Sequence, residues 1–292
     1  MSFGQAIVMG IVQGLTEFLP VSSSGHLAIF KNILKVETDT GILFDVLLHF
    51  ATLIAVCLVF YRDILRLVVE FFKIAGDVFK NIGRFFKNLG LKDNKLPYKK
   101  LATSSYRRFV LLLLVSVIPT GIIGILLKSV VEGVEGNLLV TGICLIGTGG
   151  IILTSDFIKE RHKKPRDASY ADAAAIGTAQ GIATLPGLSR SGSTIVCALL
   201  CGFDRMFAVK FSFIMSIPAI IGALILELSD MEVGLGGAEI GAYIVGMVTA
   251  LIVGYVALRL TVKLVMNRYF KYFSWYCFLI GAVSVVAYII AL

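Results

Sequence analysis

Charged residues are scarce in this chain of 292 residues. Asp, Glu, Lys and Arg make up 16% of the sequence, whereas hydrophobic residues make up 57% and the mean hydropathy is +0.89. Soluble domains carry about 25% charged residues, so the composition excludes an ordinary soluble domain. Several apolar runs are long enough to cross a hydrocarbon core of about 30 Å. The sequence therefore predicts an all-α, polytopic membrane protein.

Cysteine is also scarce, and its distribution excludes a disulfide framework. The five cysteines are odd in number and all lie in apolar stretches, which favours small core residues over a disulfide or metal role. They are Cys57, Cys144, Cys197, Cys201 and Cys277. The first residues lack the basic segment and cleavage site of a signal peptide, so we expect the first apolar segment to belong to the folded protein.

Six stretches are apolar and long enough to span a membrane: 43–60, 108–127, 138–156, 207–226, 240–258 and 274–291. Two further apolar regions, 3–35 and 170–202, are interrupted near their middles by Pro, Gly and Ser, and their halves are too short to cross. Irregular backbone at membrane depth requires protein or a water-filled cavity around it. We therefore predict two re-entrant helical hairpins that mark a site.

Positive charge is concentrated in three of the connecting segments. Segment 61–107 has 11 Lys or Arg against 4 acidic residues, 157–170 has 5 against 2, and 259–272 has 4 against none. The positive-inside rule places these segments in the cytoplasm and both termini outside, and it explains the net charge of +8 without nucleic acid. Segment 61–107 mixes Phe pairs with lysines, which predicts either a helix on the inner leaflet or a basic loop that only sets topology.

An internal repeat relates the two interrupted regions. The stretch QGLTEFLPVSSSGHL at 13–27 aligns with QGIATLPGLSRSGST at 180–194 at a constant offset of 167 residues. Each copy contains one hairpin and three spans, so the second copy is inverted relative to the first. We predict a single membrane domain over 1–292, with repeat one at 1–156 and repeat two at 170–292. Inverted repeats bring their interrupted segments together near the membrane midplane.

Both predicted hairpin tips have the features of an anion site. Pro20 and Pro186 end the incoming helices, and Ser/Gly stretches begin the outgoing ones. A helix N-terminus presents unpaired N–H groups and the positive end of the helix dipole. Arg190 at membrane depth costs at least ~2.5 kcal/mol on insertion scales. It is predicted to bind an anionic substrate, or alternatively to pair with Glu17 across the two tips.

The first tip adds groups that suit catalysis. Glu17 and His26 flank the serines at 22–24, and a carboxylate, an imidazole and a hydroxyl are the groups of nucleophilic phosphoryl transfer. The second tip lacks a matching acid and imidazole, which argues against a channel with equivalent repeats. At the offset of 167, the counterparts of Glu17, Ser23 and His26 are Thr184, Arg190 and Ser193.

His49 is the remaining histidine of the apolar regions. A single histidine in a span is typical of a packed, hydrogen-bonded core residue. Asp45 lies four residues earlier, so a position lining the cavity is the alternative.

The motifs at 13–26 and 186–194 resemble the two signatures of bacterial undecaprenyl-diphosphate phosphatases, the integral membrane enzymes associated with bacitracin resistance. The resemblance covers nearly the whole chain. It implies hydrolysis of a C55 isoprenoid diphosphate to the monophosphate carrier lipid of peptidoglycan synthesis, in the bacterial plasma membrane, at a site open to the outer face. The expected partners are the isoprenoid diphosphate lipid and the bilayer, with no nucleic acid, and the sequence is compatible with a homo-oligomer.

The resemblance also implies residue roles. Ser23 is expected to be the nucleophile or the hydroxyl nearest the scissile phosphorus, Glu17 a base or metal-organising carboxylate, His26 a proton-transfer partner and Arg190 the diphosphate clamp. The expected substrate-binding residues are Gln13, Ser22, Ser24, Gly25, Ser189, Ser191, Gly192 and Thr194.

A cofactor and a rival function complete the expectations. The family has Glu or Gln at the position of Gln13, so only one carboxylate remains in the first motif. A divalent cation, Mg²⁺ or Ca²⁺, is therefore expected to bind mainly through the diphosphate oxygens. The alternative function is a secondary transporter or flippase of an anionic lipid, because facing half-helices in inverted repeats are also a transporter architecture.

Overall fold

The computed structural model describes residues 1–36, 43–91, 93–134, 136–159, 161–230 and 237–291. These residues form eleven α-helices and no strand beyond an isolated bridge between Lys163 and Phe203, which confirms the all-α prediction. The helices are α1 (Phe3–Phe18), α2 (Ser23–Leu34), α3 (Leu43–Val59), α4 (Tyr61–Leu89), α5 (Ser105–Val134), α6 (Leu138–Thr154), α7 (Tyr170–Ile182), α8 (Arg190–Leu200), α9 (Arg205–Asp230), α10 (Gly237–Met266) and α11 (Phe270–Ala291).

Several helices are apolar and long enough to cross a membrane. Among the described residues they are α5, α9, α10 and α11, which contain the predicted spans 108–127, 207–226, 240–258 and 274–291. Helix α3 qualifies only together with α4, and the two are bent by 91° at Phe60. Helix α6 is apolar but has 17 residues. The structure therefore has four to five candidate spans, and the count of six remains a prediction.

Two helical hairpins occupy the interrupted regions. Helix α1 ends at Phe18 and α2 begins at Ser23, while α7 ends at Ile182 and α8 begins at Arg190. All four helices have 16 residues or fewer, or about 24 Å at 1.5 Å per residue. None of them reaches the length of a full membrane crossing.

Each hairpin packs against a helix from the other half of the chain: α1 lies on α10, and α7 lies on α5. Small residues make these crossings close. A Cβ atom at Gly10 would lie 2.5 Å from the carbonyl oxygen of Gly246, and one at Gly177 would lie 2.1 Å from that of Ser116. Gly10 and Gly177 are separated by the same 167 residues as the repeat. The duplicated sequence thus makes a duplicated, backbone-to-backbone packing contact.

The core between the tips and the predicted cytoplasmic segments is rich in phenylalanine. Phe109, Phe203, Phe207 and Phe211 are at most 5% exposed and contact one another with ring centroids 4.6–5.8 Å apart. Phe213 packs edge to face on Phe18, the last residue of α1, at 5.5 Å. This cluster supports the tips from one side.

Substituting Gly177 with Ala should destabilise the protein by about 1–3 kcal/mol, because the added methyl group overlaps the α5 backbone. The matched control is Gly121→Ala on α5, where nothing lies within 4 Å of the added carbon and the change should stay within about 1 kcal/mol. Unfolding titrations in mixed detergent micelles would measure both. Equal stability of the two variants would contradict the close α5–α7 crossing.

Candidate active site

The two hairpin tips touch one another. A Cβ atom at Gly25 would lie 3.0 Å from the Cα of Gly187, and one at Gly192 would lie 3.3 Å from the Cβ of Pro20. Gly187 has φ +94°, and a side chain there would also meet the carbonyl oxygen of Thr141 at 2.3 Å. Only glycine fits this position, and its absent side chain permits the contact between the tips.

The outgoing helices begin with matching serine caps. Ser22 Oγ accepts a hydrogen bond from the N–H of Gly25 at 3.3 Å, and Ser189 Oγ accepts one from the N–H of Gly192 at 3.0 Å. The two caps are 167 residues apart, as the repeat predicts. Each cap satisfies one of the N–H groups that a helix start leaves unpaired, and the helix dipole places positive potential at both tips.

The first cap has an unusual backbone conformation. Ser22 has φ +69°, a region that non-glycine residues rarely adopt, whereas Ser189 has φ −75°. Such a conformation costs about 1–3 kcal/mol and is commonly maintained at functional sites. It places Ser23 at the start of α2, beside the end of α1.

Glu17 is the centre of the polar contacts, although it is only 4% exposed. Ser23 Oγ donates a 2.7 Å hydrogen bond to Glu17 Oε2, and Gln13 Nε2 donates one of 3.0 Å to the same oxygen. Arg190 forms an ion pair with Oε1 from the opposite tip. His49 Nδ1 lies 3.0 Å from Oε2 and 2.8 Å from Gln13 Nε2. The tips therefore join a buried carboxylate, a hydroxyl, an imidazole and a guanidinium.

These groups line a cavity of about 240 Å³ between the tips. Its polar wall includes seven of the residues expected from the sequence, namely Glu17, Ser22, Ser23, Ser24, Ser189, Arg190 and Ser191. It also includes polar residues that were not assigned to the site, namely Thr16, His49, Thr120, Gln180 and Thr184. Ala219, Ile220 and Ala223 of α9 add an apolar wall. A cavity with one polar and one apolar wall suits an amphipathic ligand.

His26 does not line this cavity, and its expected convergence with Glu17, Ser23 and Arg190 is not found. Its Nδ1 donates a 2.7 Å hydrogen bond to the carbonyl oxygen of Ser22, and its Nε2 lies 2.8 Å from the hydroxyl of Tyr276. The His26 ring also stacks on the Tyr276 ring at 5.6 Å. The Nδ1 bond forms because a side chain one turn into α2 points back to the start of its own helix, and Tyr276 of α11 engages Nε2.

Four of the expected binding residues also lie outside the cavity lining: Gln13, Gly25, Gly192 and Thr194. Gln13 donates a hydrogen bond to Glu17 from outside the cavity lining. Gly25 and Gly192 lie where the two tips touch. Thr194 Oγ1 donates to the carbonyl oxygen of Arg190 at 2.8 Å and pairs closely with Ser212 on α9. Thr194 thus holds the start of α8 in place and does not face a ligand.

His49 lines the cavity, which was the alternative to a core position in the sequence analysis. Asp45, the residue that suggested this alternative, does not line the cavity. Asp45 instead pairs with Lys31 of α2 at 2.7 Å. His49 reaches Glu17 because α3 packs beside α1, a contact that neither motif encodes. Its one sequence signal was its position one helical turn after Asp45 in an otherwise apolar stretch.

A family comparison covers almost the whole chain. The model of the family described as bacitracin resistance protein BacA matches residues 6–283. The chain belongs to this family. The second hairpin, nearly all of the first and all the residues around Glu17 lie inside the match to the BacA family.

Curated relatives agree with the family match. A protein of Treponema denticola is 42% identical over 281 residues, which cover 96% of each chain. One from Alkaliphilus metalliredigens is 38% identical over 282 residues, covering 96% of this chain and 97% of the relative. One from Desulforapulum autotrophicum is 36% identical over 291 residues and the full length of both. All three relatives are named undecaprenyl-diphosphatase.

Metal ligands are sparse in this member of the BacA family. The described part of the chain contains no group of three or more His, Cys, Asp or Glu side chains placed to hold a metal ion. Glu17 is the carboxylate of the cavity lining, whereas the buried Oε1 of Gln13 lies outside that lining without a hydrogen-bond partner. The donor set fits a cation that takes most of its ligands from a bound diphosphate.

Glu17→Gln or Arg190→Gln alone should destabilise the protein by about 3–5 kcal/mol, because each leaves the other charge buried without its partner. The double variant should lose less than either single variant, which unfolding titrations in mixed micelles would measure. Glu132→Gln, in an exposed pair with Lys128, is the control and should change stability by less than about 1 kcal/mol. Additive losses in the double variant would rule out the coupling.

Proposed function

We propose that this protein hydrolyses undecaprenyl diphosphate to undecaprenyl phosphate and inorganic phosphate, which recycles the carrier lipid of cell-wall synthesis. The BacA family match and the relatives named undecaprenyl-diphosphatase support the activity. The observation that carries the proposal is the junction of the tips, where Ser23 and Arg190 both contact Glu17. Its cavity has a polar wall for a diphosphate and an apolar wall for the first isoprenoid units.

In the first step the diphosphate displaces Glu17 as the partner of Arg190. The guanidinium matches phosphate oxygens in a bidentate manner, and the helix starts at both tips add N–H donors. Release of Arg190 leaves Glu17 with Ser23, whose hydroxyl already points at the carboxylate. The free enzyme thus keeps its buried carboxylate neutralised until the substrate supplies a replacement anion for Arg190.

Ser23 then attacks the terminal phosphorus. A bond forms between Ser23 Oγ and phosphorus, the bond from phosphorus to the bridging oxygen breaks, and Glu17 accepts the hydroxyl proton. Undecaprenyl phosphate leaves with the bridging oxygen. Water next attacks the phosphoserine, releases inorganic phosphate and restores the Ser23 hydroxyl. Arg190 and the helix starts stabilise the negative charge on the transferring oxygens in both steps.

We assign proton transfer beyond Glu17 to His49, which lies 3.0 Å from the carboxylate and lines the cavity. An imidazole there can take the proton from Glu17 and pass it to the leaving group or to water. His26 is proposed as a positioning residue, because its ring binds the carbonyl oxygen of Ser22 and thereby orients the start of α2. Tyr276 fixes the ring from the other side.

A divalent cation, Mg²⁺ or Ca²⁺, is proposed to bind with the substrate. The diphosphate would supply most of its oxygen ligands, and Glu17 is the carboxylate of the cavity lining that would suit it. When bound, such a cation withdraws negative charge from the phosphoryl oxygens.

We also propose that the fold is an inverted repeat with six spans and two re-entrant hairpins. The reciprocal packing of α1 on α10 and α7 on α5 supports it. The cavity is lined by Val46 and His49 near the start of α3 and by Ala219 and Ala223 in the second half of α9. Those helix ends adjoin segments 36–43 and 227–239, which contain acidic residues but no Lys or Arg. This placement supports a cavity open to the outer face, and the positive-inside rule supports termini on the same side.

A transporter or flippase of an anionic lipid is not favoured, since the curated relatives are named as diphosphatases. Purified protein in detergent should release inorganic phosphate from a prenyl diphosphate at a rate that depends on protein concentration. A transporter without phosphatase activity would release none.

Ser23→Ala should lower the rate of phosphate release by at least ~10³-fold, because it removes the attacking oxygen. Ser284→Ala is the matched control, since Ser284 lies on α11 and donates to the carbonyl oxygen of Ile280. It should keep the parent rate. Near-full activity of Ser23→Ala would contradict a covalent intermediate and would favour direct attack by water.

His49→Gln should lower the turnover rate by about 10²-fold or more, because a neutral amide cannot relay a proton. The dependence of turnover on pH should also change, because the ionisation of His49 no longer contributes to it. A purely structural effect would lower turnover without changing that dependence. His162→Gln, in the basic segment 157–170, is the control and should leave the profile unchanged. A His49→Gln enzyme with the parent profile would contradict the assignment.

A further inference from the structure

Helix α4 leaves a long apolar face uncovered. The helix has 29 residues and begins at a 91° bend from α3, so it runs roughly perpendicular to a helix that enters the membrane. Phe72, Phe79 and Phe86 are 67%, 74% and 65% exposed, although phenylalanine is among the residues most often buried. The three residues are spaced by seven and share one face, which extends along most of α4.

The opposite face of α4 is covered by the protein itself. Leu67 and Ile74 are buried, and Arg107 of α5 pairs with Glu70 at 2.9 Å and with Asp77 at 2.8 Å. Hydrogen bonds from the Lys99 ammonium and the Arg107 guanidinium lower the pKa of Asp77 to about 2. Glu70 and Asp77 are therefore neutralised by partners within the chain.

A strap formed by residues 95–100 runs along the same covered side. Asn81 exchanges two hydrogen bonds with the backbone of Lys99, at 2.8 and 2.9 Å. Asn88 does the same with the backbone of Leu96, at 2.8 and 3.0 Å. The two asparagines are again seven residues apart. The strap fixes the rotation of α4 about its axis and keeps the phenylalanine face turned outwards.

Lysines lie beside the phenylalanines. Lys73, Lys80 and Lys87 each follow one of the three Phe residues, in the repeated sequence FFKIAGD, VFKNIGR and FFKNLG. At 100° per residue they lie on the flank of the apolar face, between that face and the side of α4 that the strap covers. Apolar residues with a basic flank are the pattern of helices that lie in the interface of anionic membranes.

We propose that the phenylalanine face of α4 lies in the acyl region of the inner leaflet, with Lys80 and Lys87 binding the phosphates of anionic lipids. The occupant is the bilayer and not a second copy of the chain, because α4 follows α3 at the bend and packs on α5, which is a candidate membrane span. The basic flank also complements anionic lipid and would repel an identical helix. This docking site lies on the opposite leaflet from the cavity and does not depend on the proposed activity.

The chain has a single tryptophan, Trp275, which allows a direct test. In a Trp275→Phe background, Phe79→Trp would place the probe on the apolar face, and Tyr98→Trp would place the control on the strap. Both full-length variants would be reconstituted in vesicles of phosphatidylglycerol and phosphatidylcholine. Circular dichroism spectra and unfolding midpoints at the parent level would show that both variants are folded.

The Phe79→Trp emission should be blue-shifted, should fall by most of its intensity with brominated acyl chains, and should resist aqueous iodide. The Tyr98→Trp control should emit at longer wavelength, should be quenched by iodide and should be little affected by brominated acyl chains. Quenching of Phe79→Trp by iodide alone would place the face in water and overturn the proposal. Protection from both quenchers would mean that protein covers the face, which also overturns it.

The lysine part of the proposal has its own readout. At equal mole fraction, brominated phosphatidylglycerol should quench Phe79→Trp more strongly than brominated phosphatidylcholine does. Adding Lys80→Gln and Lys87→Gln should make the two lipids equally effective while leaving the blue shift in place. Equal quenching by the two lipids with both lysines present would refute binding of anionic lipid.

Discussion

The ion pair between Glu17 and Arg190 is the interaction on which the rest of the structure depends. It joins the last turn of α1 to the first residue of α8, and so connects two hairpins that are far apart in the sequence. A carboxylate at 4% exposure is unfavourable unless a cation and hydrogen-bond donors surround it, and here Arg190, Ser23 and Gln13 provide them. In the proposed mechanism, a diphosphate takes the place of this carboxylate as the partner of Arg190.

The internal repeat explains why two similar hairpin tips meet at the site. The side chains in which the two copies differ distinguish one tip from the other. The serine caps, the glycines at the tip contact and the close crossings at Gly10 and Gly177 recur at one offset. Two equivalent tips alone would give a symmetric anion cradle. The two tips differ at the matching positions Ser23 and Arg190, to which the proposed mechanism assigns the nucleophile and the diphosphate clamp.

Sequence patterns predicted those parts of the site that depend on local chemistry. The tips, their caps and the facing of Glu17 and Arg190 could be inferred because proline, glycine and serine have definite roles at helix ends. His26 was misplaced because its ring turns back to the carbonyl oxygen of Ser22, a rotamer that no spacing specifies. His49 was assigned to the core because its approach to Glu17 depends on how α3 packs beside α1. Likewise, the close approach at Gly177 depends on how α7 packs on α5, which is distant in the sequence.

The central claim is that Arg190 is shared between Glu17 in the free protein and diphosphate in the complex. Binding of a non-hydrolysable prenyl methylenebisphosphonate, measured by calorimetry in detergent with divalent ions removed, tests it most directly. Glu17→Gln should bind this analogue more tightly than the parent protein does, because Arg190 no longer has an internal partner to give up. Weaker or unchanged binding by Glu17→Gln would contradict the account.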